Sequence, residues 1–337
     1  MSHDALSYDK AAALIAKHAA KLARLRSPVE RVDLEQAPGR VLARPLRADR
    51  DQPPFARSTR DGFACRASEA STHASLALTG ATKAGAAPSG PLKLNSAWEI
   101  MTGAPVPRGA DAVVMLEHVE AANGRVRLLP PRTVEPGENI VAKGAHARKG
   151  DELLPPGTRI GPAQIALAAA CGCATLPVFA KPRVAILATG DELVPVDSSP
   201  APGQIRNSNA PMLAAMVAEA GGEPWVLPIA RDTEKALDSA LAQAAAADLL
   251  LITGGVSAGK FDLVEPALLR AGARFHFTGV RIQPGKPTVF GETPSLRRTT
   301  LVQDQDGTKC QNQSRAQHCF GLPGNPVSSA VTFLLFA

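Results

Sequence analysis

From residue 182 onward the chain alternates short apolar runs with amphipathic stretches, and glycine-rich polar turns recur at the ends of the runs. Segments 184–188, 225–229 and 248–253 read as strands, and 211–220, 233–246 and 263–271 carry apolar residues at helical spacing. Gly221-Gly222 and Gly272 stop two of those helices. Strands alternating with helices imply a parallel sheet covered by helices on both faces. Such sheets receive ligands outside the carboxyl ends of their strands.

The turns at those ends carry the polar chemistry. Thr189-Gly190-Asp191-Glu192 follows one strand, and Gly254-Gly255-Val256-Ser257-Ala258-Gly259-Lys260-Phe261-Asp262 follows another. Arg206-Asn207-Ser208-Asn209 and Arg231-Asp232-Thr233 open two helices, and Pro284-Gly285-Lys286-Pro287 is a stiff turn presenting a lysine. Near the last residues, Gly321-Leu322-Pro323-Gly324-Asn325-Pro326-Val327-Ser328 opens an apolar helix. Asn325 is suited to the cap, Pro326 to the first helical position, and the amides beyond them to an oxyanion. Glycine amides and Ser257 fit phosphate oxygens, and Lys286 and Arg206 add positive charge. Asp191, Glu192, Asp232 and Asp262 have the chemistry to hold Mg²⁺ beside a phosphate. Ser208 and Asp232-Thr233 also read as plain helix caps.

The first 181 residues are organised differently. Ser7 caps a helix over 8–26, with Ala11, Leu14, Ile15, Leu22 and Leu25 on one face, and β-like pieces follow at 29–34 and 41–46. Residues 51–139 are rich in glycine and proline, and Asn123-Gly124 joins runs 113–121 and 125–129 as a hairpin. This block reads as an all-β domain inserted into the first one. Gly161-Pro162 starts a helix that Gly172 ends. The organisation expected is a discontinuous first domain over 1–50 and 140–181, a β domain over 51–139, and an α/β domain over 182–337.

A net charge of +6 fits a basic pocket for an acidic small ligand. Nucleic acid is disfavoured, because there is no basic run and aromatics make up only 4% of the chain. No stretch approaches the roughly 18 apolar residues of a membrane span. Five scattered cysteines and a Met1-Ser2-His3-Asp4 start without a secretory pattern point to the cytoplasm. Cys171-Gly172-Cys173 has no second pair to complete a metal site, and small residues at a helix end are the simpler reading.

Several motifs fall in the order of one family. They are Ser58-Thr59-Arg60-Asp61-Gly62-Phe63, Met101-Thr102-Gly103-Ala104, Gly109-Ala110-Asp111-Ala112, Glu138-Asn139-Ile140 and Thr189-Gly190-Asp191-Glu192, followed by the turns at 253–262, 284–287 and 321–328. On these residues the chain resembles the molybdopterin molybdenumtransferase family of molybdenum-cofactor biosynthesis, related to the E domain of gephyrin. The resemblance implies a three-layer molybdopterin-binding α/β domain and an elongated homodimer in which the Ser58–Asp61 loop faces the partner subunit. It implies insertion of molybdenum from molybdate into adenylylated molybdopterin, with Mg²⁺, as AMP leaves. Asp61, Glu192, Asp232 and Asp262 would be catalytic, with Asp232 and Asp262 on the metal. Ser58, Thr189, Gly190, Asp191, Gly254, Gly255, Ser257, Lys286, Pro323, Gly324, Asn325, Pro326 and Ser328 would bind the substrate.

The upstream adenylyltransferase and molybdoenzyme acceptors are further expected partners. Adenylylation of molybdopterin, or an inactive scaffold of the same fold, are the alternatives. Departures from the pattern are Arg60, often Met in the family, Val141 and His146 in place of a basic and an acidic residue, and Lys260 in place of an acidic one. The family continues into a C-terminal β-barrel domain, which is missing here, so residues beyond 334 are expected to fray. The polar tract 294–317 is expected to be a mobile loop.

Overall fold

A computed structural model describes residues 5–24, 28–71, 73–255, 263–298 and 314–337. They form two compact units, Val29–Val178 and a second made of Met1–Pro28 with Phe179–Ala337.

The first unit is built around a six-stranded sheet. Its strands are β1 (Gly62–Cys65), β2 (Ser75–Thr82), β3 (Ser96–Ile100), β4 (Ala112–Met115), β5 (Val119–Ala122) and β6 (Arg125–Leu128), in the order β4-β1-β3-β2-β6-β5. The β2–β3 pair is parallel and the others are antiparallel. Alternate residues serve opposite faces: Phe63, Cys65, Val114 and Val126 fill one core, and Ala64, Trp98, Ile100 and Val113 the other. Asn123 and Gly124, with φ of 52° and 71°, turn the β5–β6 hairpin. Two-stranded ladders and helix α2 (Pro162–Ala170) make up the rest, around Leu42, Ile160, Leu176 and Val178.

The second unit holds a mixed sheet. Its strands are β7 (Arg183–Ala188), β8 (Glu223–Val226), β9 (Leu249–Thr253), β10 (Arg274–Phe277), β11 (Val289–Arg298) and β12 (Ser314–Leu322), in the order β8-β7-β9-β12-β11-β10. The first four are parallel, and β11 and β10 close one edge antiparallel. The helices are α1 (Tyr8–Arg24), α3 (Asn209–Ala220), α4 (Glu234–Ala244), α5 (Val264–Arg270) and α6 (Pro326–Phe336). Val184, Ile186, Leu251 and Phe320 point to one face, where Ala11, Leu213, Val217 and Phe333 from α1, α3 and α6 cover them. Ala185, Leu187, Leu250 and Ile252 point to the other, against α4 and α5. Burial on both faces is why β7 and β9 read as unbroken apolar runs.

Several expectations are corrected. The sheet is mixed, because the tract expected as a loop contributes strand at both ends: Pro294 pairs with Ala316 and Thr293 with Gln317. Residues 299–313 lie outside the described residues. Helix α1, expected in the first domain, instead lays Ala11, Leu14 and Ile15 on the α/β core, where its apolar stripe finds a sheet face. The 225–229 strand lies at Glu223–Val226, and of 41–46 only Leu46 is in a strand, since Val41 and Leu42 make single bridges. Helix α6 runs to Phe336, and Phe333 and Phe336 are buried while Leu334 is exposed.

Gly62 illustrates how tightly the β sheet is drawn. A Cβ there would sit 1.9 Å from the carbonyl oxygen of Val114 on the neighbouring strand. Gly62→Ala is therefore expected to cost about 3 kcal/mol, as overpacking against backbone that cannot yield. Urea unfolding measures it, and a loss below about 1 kcal/mol would mean that the two strands part easily.

Candidate functional site

The parallel register places three strand ends side by side: Ala188 is level with Thr253, and Thr253 with Leu322. Thr189, Gly254 and Pro323 therefore leave the sheet together. Gly254 and Gly255 turn away with φ of 90° and 61°. A Cβ on Gly254 would lie 2.5 Å from the Thr189 carbonyl oxygen, and one on Gly255 2.7 Å from Val264 Cγ2, so both positions require glycine.

One side chain ties two of these turns together. Asn209, 8% exposed at the start of α3, donates from Nδ2 to Thr253 Oγ1 (2.7 Å) and to the Gly324 carbonyl (2.7 Å). The Thr253 hydroxyl donates in turn to the Pro323 carbonyl (3.3 Å). Among the described residues, Asn209 Oδ1 and Thr189 Oγ1 are buried without a hydrogen-bond partner. Buried polar atoms are normally satisfied, so two unpaired ones at one end of a sheet are unusual.

Asn325 caps α6, its Oδ1 accepting from Val327 N–H (3.0 Å) and Ser328 N–H (3.3 Å). Those two amides, expected to be free for an anion, are thus already used. The Lys286 turn packs on the same helix, since a Cβ on Gly285 would meet Thr332 Cγ2 at 2.5 Å. Thr288 Oγ1 donates to Gly285 O (2.7 Å), closing the turn with Lys286 exposed.

Thr189 bridges to Ala230, which brings Asp191 and Glu192 beside Asp232. The Asp232 N–H donates to Asp191 Oδ1 (3.3 Å), and Arg231 Nη1 to the Asp191 carbonyl (2.8 Å). Desolvation, with the charges of Asp191 and Glu192, raises the Asp232 carboxyl above its ordinary value. Glu192 folds back over Gly190, whose missing Cβ leaves the room. Ser257 and Asp262 lie outside the described residues. Arg206 donates to the Ser198 carbonyl (3.0 Å).

In the first unit, Asp61 is anchored and ionised. Its Oδ1 accepts from Thr102 N–H (2.6 Å) and Oγ1 (2.8 Å), which lowers its pKa. Ser58, expected to bind substrate, is buried, and its hydroxyl closes the loop on Arg60, donating to the carbonyl (2.5 Å) and accepting from the N–H (3.2 Å). Its hydroxyl shapes the Asp61 loop.

Residues 6–172 match the MoeA N-terminal region (domain I and II), and residues 185–337 match the probable molybdopterin binding domain. The chain is 38% identical to molybdopterin molybdenumtransferase of Nostoc sp. over 91% of its own length and 67% of the relative's. Against the Synechococcus elongatus protein of the same name it is 35% identical, covering 98% of the chain and 78% of that relative. The molybdopterin biosynthesis MoeA protein of Pyrococcus horikoshii superposes with a TM-score of 0.77 at 32% identity, over 99% of this chain and 78% of that one. The chain belongs to the molybdopterin molybdenumtransferase family.

The bridging role of Asn209 is what the sequence did not show. The segment 206–209 reads as a helix start with Ser208 as cap, but Ser208 makes no capping bond. Asn207 Oδ1 takes the Ala210 N–H instead (3.1 Å), which leaves the Asn209 amide to bridge the strand ends. Two asparagines two apart before an apolar helix were the available signal. Asn209→Asp removes both donors and sets a carboxylate against the Gly324 carbonyl. The expected loss is about 2–3 kcal/mol in chemical denaturation, the range for a buried group left unsatisfied. Wild-type stability in the variant would show the bridge to be incidental.

Proposed function

We propose that the carboxyl end of the α/β sheet is where molybdenum passes from molybdate to adenylylated molybdopterin, with release of AMP. The chain is an enzyme of molybdenum-cofactor biosynthesis, and its family's reaction is the transfer of molybdenum to molybdopterin. The observation that carries the reading is the set of three strand-end turns at 189–190, 254–255 and 323–324, the last two tied through Thr253 and Gly324 to one buried amide, and bordered by three carboxylates.

In this reading the glycine turns take phosphate against backbone, and Asn209 holds the turns at fixed spacing before substrate arrives. Lys286, Ser328 and the Pro323-Gly324-Asn325-Pro326 loop receive the pterin phosphate or the oxyanion. The carboxylates would repel molybdate unless a cation stood between them. Desolvation, and after it the charges of Asp191 and Glu192, raise the Asp232 carboxyl, and this grouping fits Mg²⁺ held by Asp232 together with Asp191, Glu192 or Asp262. Bound there, Mg²⁺ would neutralise phosphate charge. Asp61 is kept ionised by Thr102 and serves the partner subunit's site in a homodimer.

The test is AMP release from adenylylated molybdopterin, dependent on both molybdate and Mg²⁺. Release that is indifferent to molybdate would overturn the assignment, and consumption of ATP would point to adenylylation instead. Asp232→Asn is expected to slow turnover about a hundredfold or more, the scale for losing a charged group from a preorganised site. The folded state raises this pKa, so ionising Asp232 costs stability as pH climbs through the shifted value and costs nothing below the ordinary one. The ligand-free variant should thus be at least as stable as wild type at neutral pH, with the difference vanishing below about pH 4. A variant both inactive and less stable at pH 7 would mark Asp232 as structural.

Lys286→Ala should weaken AMP or molybdate binding by roughly 1–3 kcal/mol without altering oligomeric state. Isothermal titration checks it, and equal affinities would make Lys286 a surface charge.

A further inference from the structure

At the other end of the same sheet four ionisable side chains converge. His18 comes from α1, His276 from β10, Glu292 from β11 and His318 from β12. His318 is level with Leu249, the first residue of β9, whereas the substrate turn follows Thr253, the last. Four residues of strand separate His318 from Leu322, about 13 Å. The cluster is thus a second locus, remote from the Gly254 and Gly324 turns.

The ligand atoms of His18, His276 and Glu292 all lie within 4.8 Å of one another. Glu292 Oε1 lies 2.9 Å from His18 Nδ1, 3.3 Å from His318 Nε2 and 3.7 Å from His276 Nε2. His318 Nε2 lies 3.3 Å from His18 Nδ1. Four ligands at zinc–nitrogen and zinc–oxygen bond lengths define a tetrahedron with edges of about 3.3–3.4 Å. Hydrogen bonding alone serves the cluster poorly: among the described residues His276 Nε2 is buried with no hydrogen-bond partner, and Glu292 Oε1 lies 3.7 Å away.

The backbone is also bent to bring His276 in. Phe275 pairs with Gly291 and Phe277 with Phe290, so His276 is the extra residue of a β-bulge. Its ring lies 4.2 Å from the His18 ring, centroid to centroid.

We propose that His18, His276 and Glu292, whose ligand atoms all lie within 4.8 Å of one another, form a site for a divalent transition-metal ion of the zinc class, with His318 beside them. Two imidazoles and a carboxylate are a zinc-class donor set, and His318 Nε2 stands 3.3 Å from both the His18 and the Glu292 ligand atoms. The ion staples α1 to β10 and β11, joining residue 18 to residues more than 250 positions along the chain.

The test uses the full chain, stripped with a chelator and titrated with Zn²⁺ alone. Native mass spectrometry should show one Zn²⁺ per chain, and calorimetry a rise in Tm on its addition. His276→Gln should weaken binding at least about tenfold and abolish the Zn²⁺-dependent rise. Cys171→Ser/Cys173→Ser should change neither. Where His276→Gln fails to fold, Co²⁺ on wild type decides instead: tetrahedral d–d bands without thiolate charge transfer support the site. No Zn²⁺ uptake, uptake unaffected by His276→Gln, or thiolate charge transfer would each overturn it, and the first would leave the cluster a proton-linked network only.

Discussion

The carboxyl end of the α/β sheet depends on one buried side-chain amide. Asn209 Nδ2 holds Thr253 and the Gly324 carbonyl at 2.7 Å each, so turns that are 70 residues apart in sequence share a single donor group. Backbone sterics then dictate the rest: Gly254 presses on the Thr189 carbonyl, and Gly324 in turn faces Gly254 Cα. The arrangement also leaves Asn209 Oδ1 and Thr189 Oγ1 buried and unpaired among the described residues. Each such atom costs about 1–3 kcal/mol until a donor arrives. In the proposed reaction a bound ligand would recover that cost, the turns being rigid and unsatisfied at once.

The parts of this architecture that were legible share one physical cause. Strands buried on both faces, such as Arg183–Ala188 and Leu249–Thr253, leave unbroken apolar runs, and their helices end at Gly221 and Gly272. Strands β10, β11 and β12 were not legible, because they put histidines, Glu292, Thr293, Gln317 and Pro294 where an apolar pattern would be. Their polar groups are satisfied only by tertiary partners: Gln317 Nε2 donates to the Ala244 and Ala247 carbonyls, and Thr293 Oγ1 to Gln317 Oε1. No local window contains that information. The placement of α1 is the same kind of case, since an amphipathic helix specifies a buried stripe but not the surface that buries it.

At the site, residue chemistry was easier to read than residue role. Asp232 reads equally as a cap or a ligand, and it is Thr233 that caps α4, accepting from Ala236 N–H (3.3 Å). That frees the Asp232 carboxylate to stand with Asp191 and Glu192. Ser58 went the other way, its hydroxyl spent on the loop that presents Asp61. In both cases sequence offered a polar side chain at a turn, and only the competition for nearby backbone groups decided what it does.

The cysteines bear on how molybdenum is held. Molybdenum in a sulfur-ligated product needs thiolate, and a protein thiol supplies it only where its pKa is low. Burial pushes both Cys65 and Cys319 up to about 12, and burial with the charge of Asp49 raises Cys171. At neutral pH these thiols are protonated, and Cys319 points into the apolar layer beneath α4 and α5. Among the described residues the α/β unit therefore brings oxygen, nitrogen and backbone amides to its strand ends, but no thiolate. In the proposed reaction the soft ligands arrive with molybdopterin, and the protein's part is to neutralise phosphate and oxyanion and hold them in place.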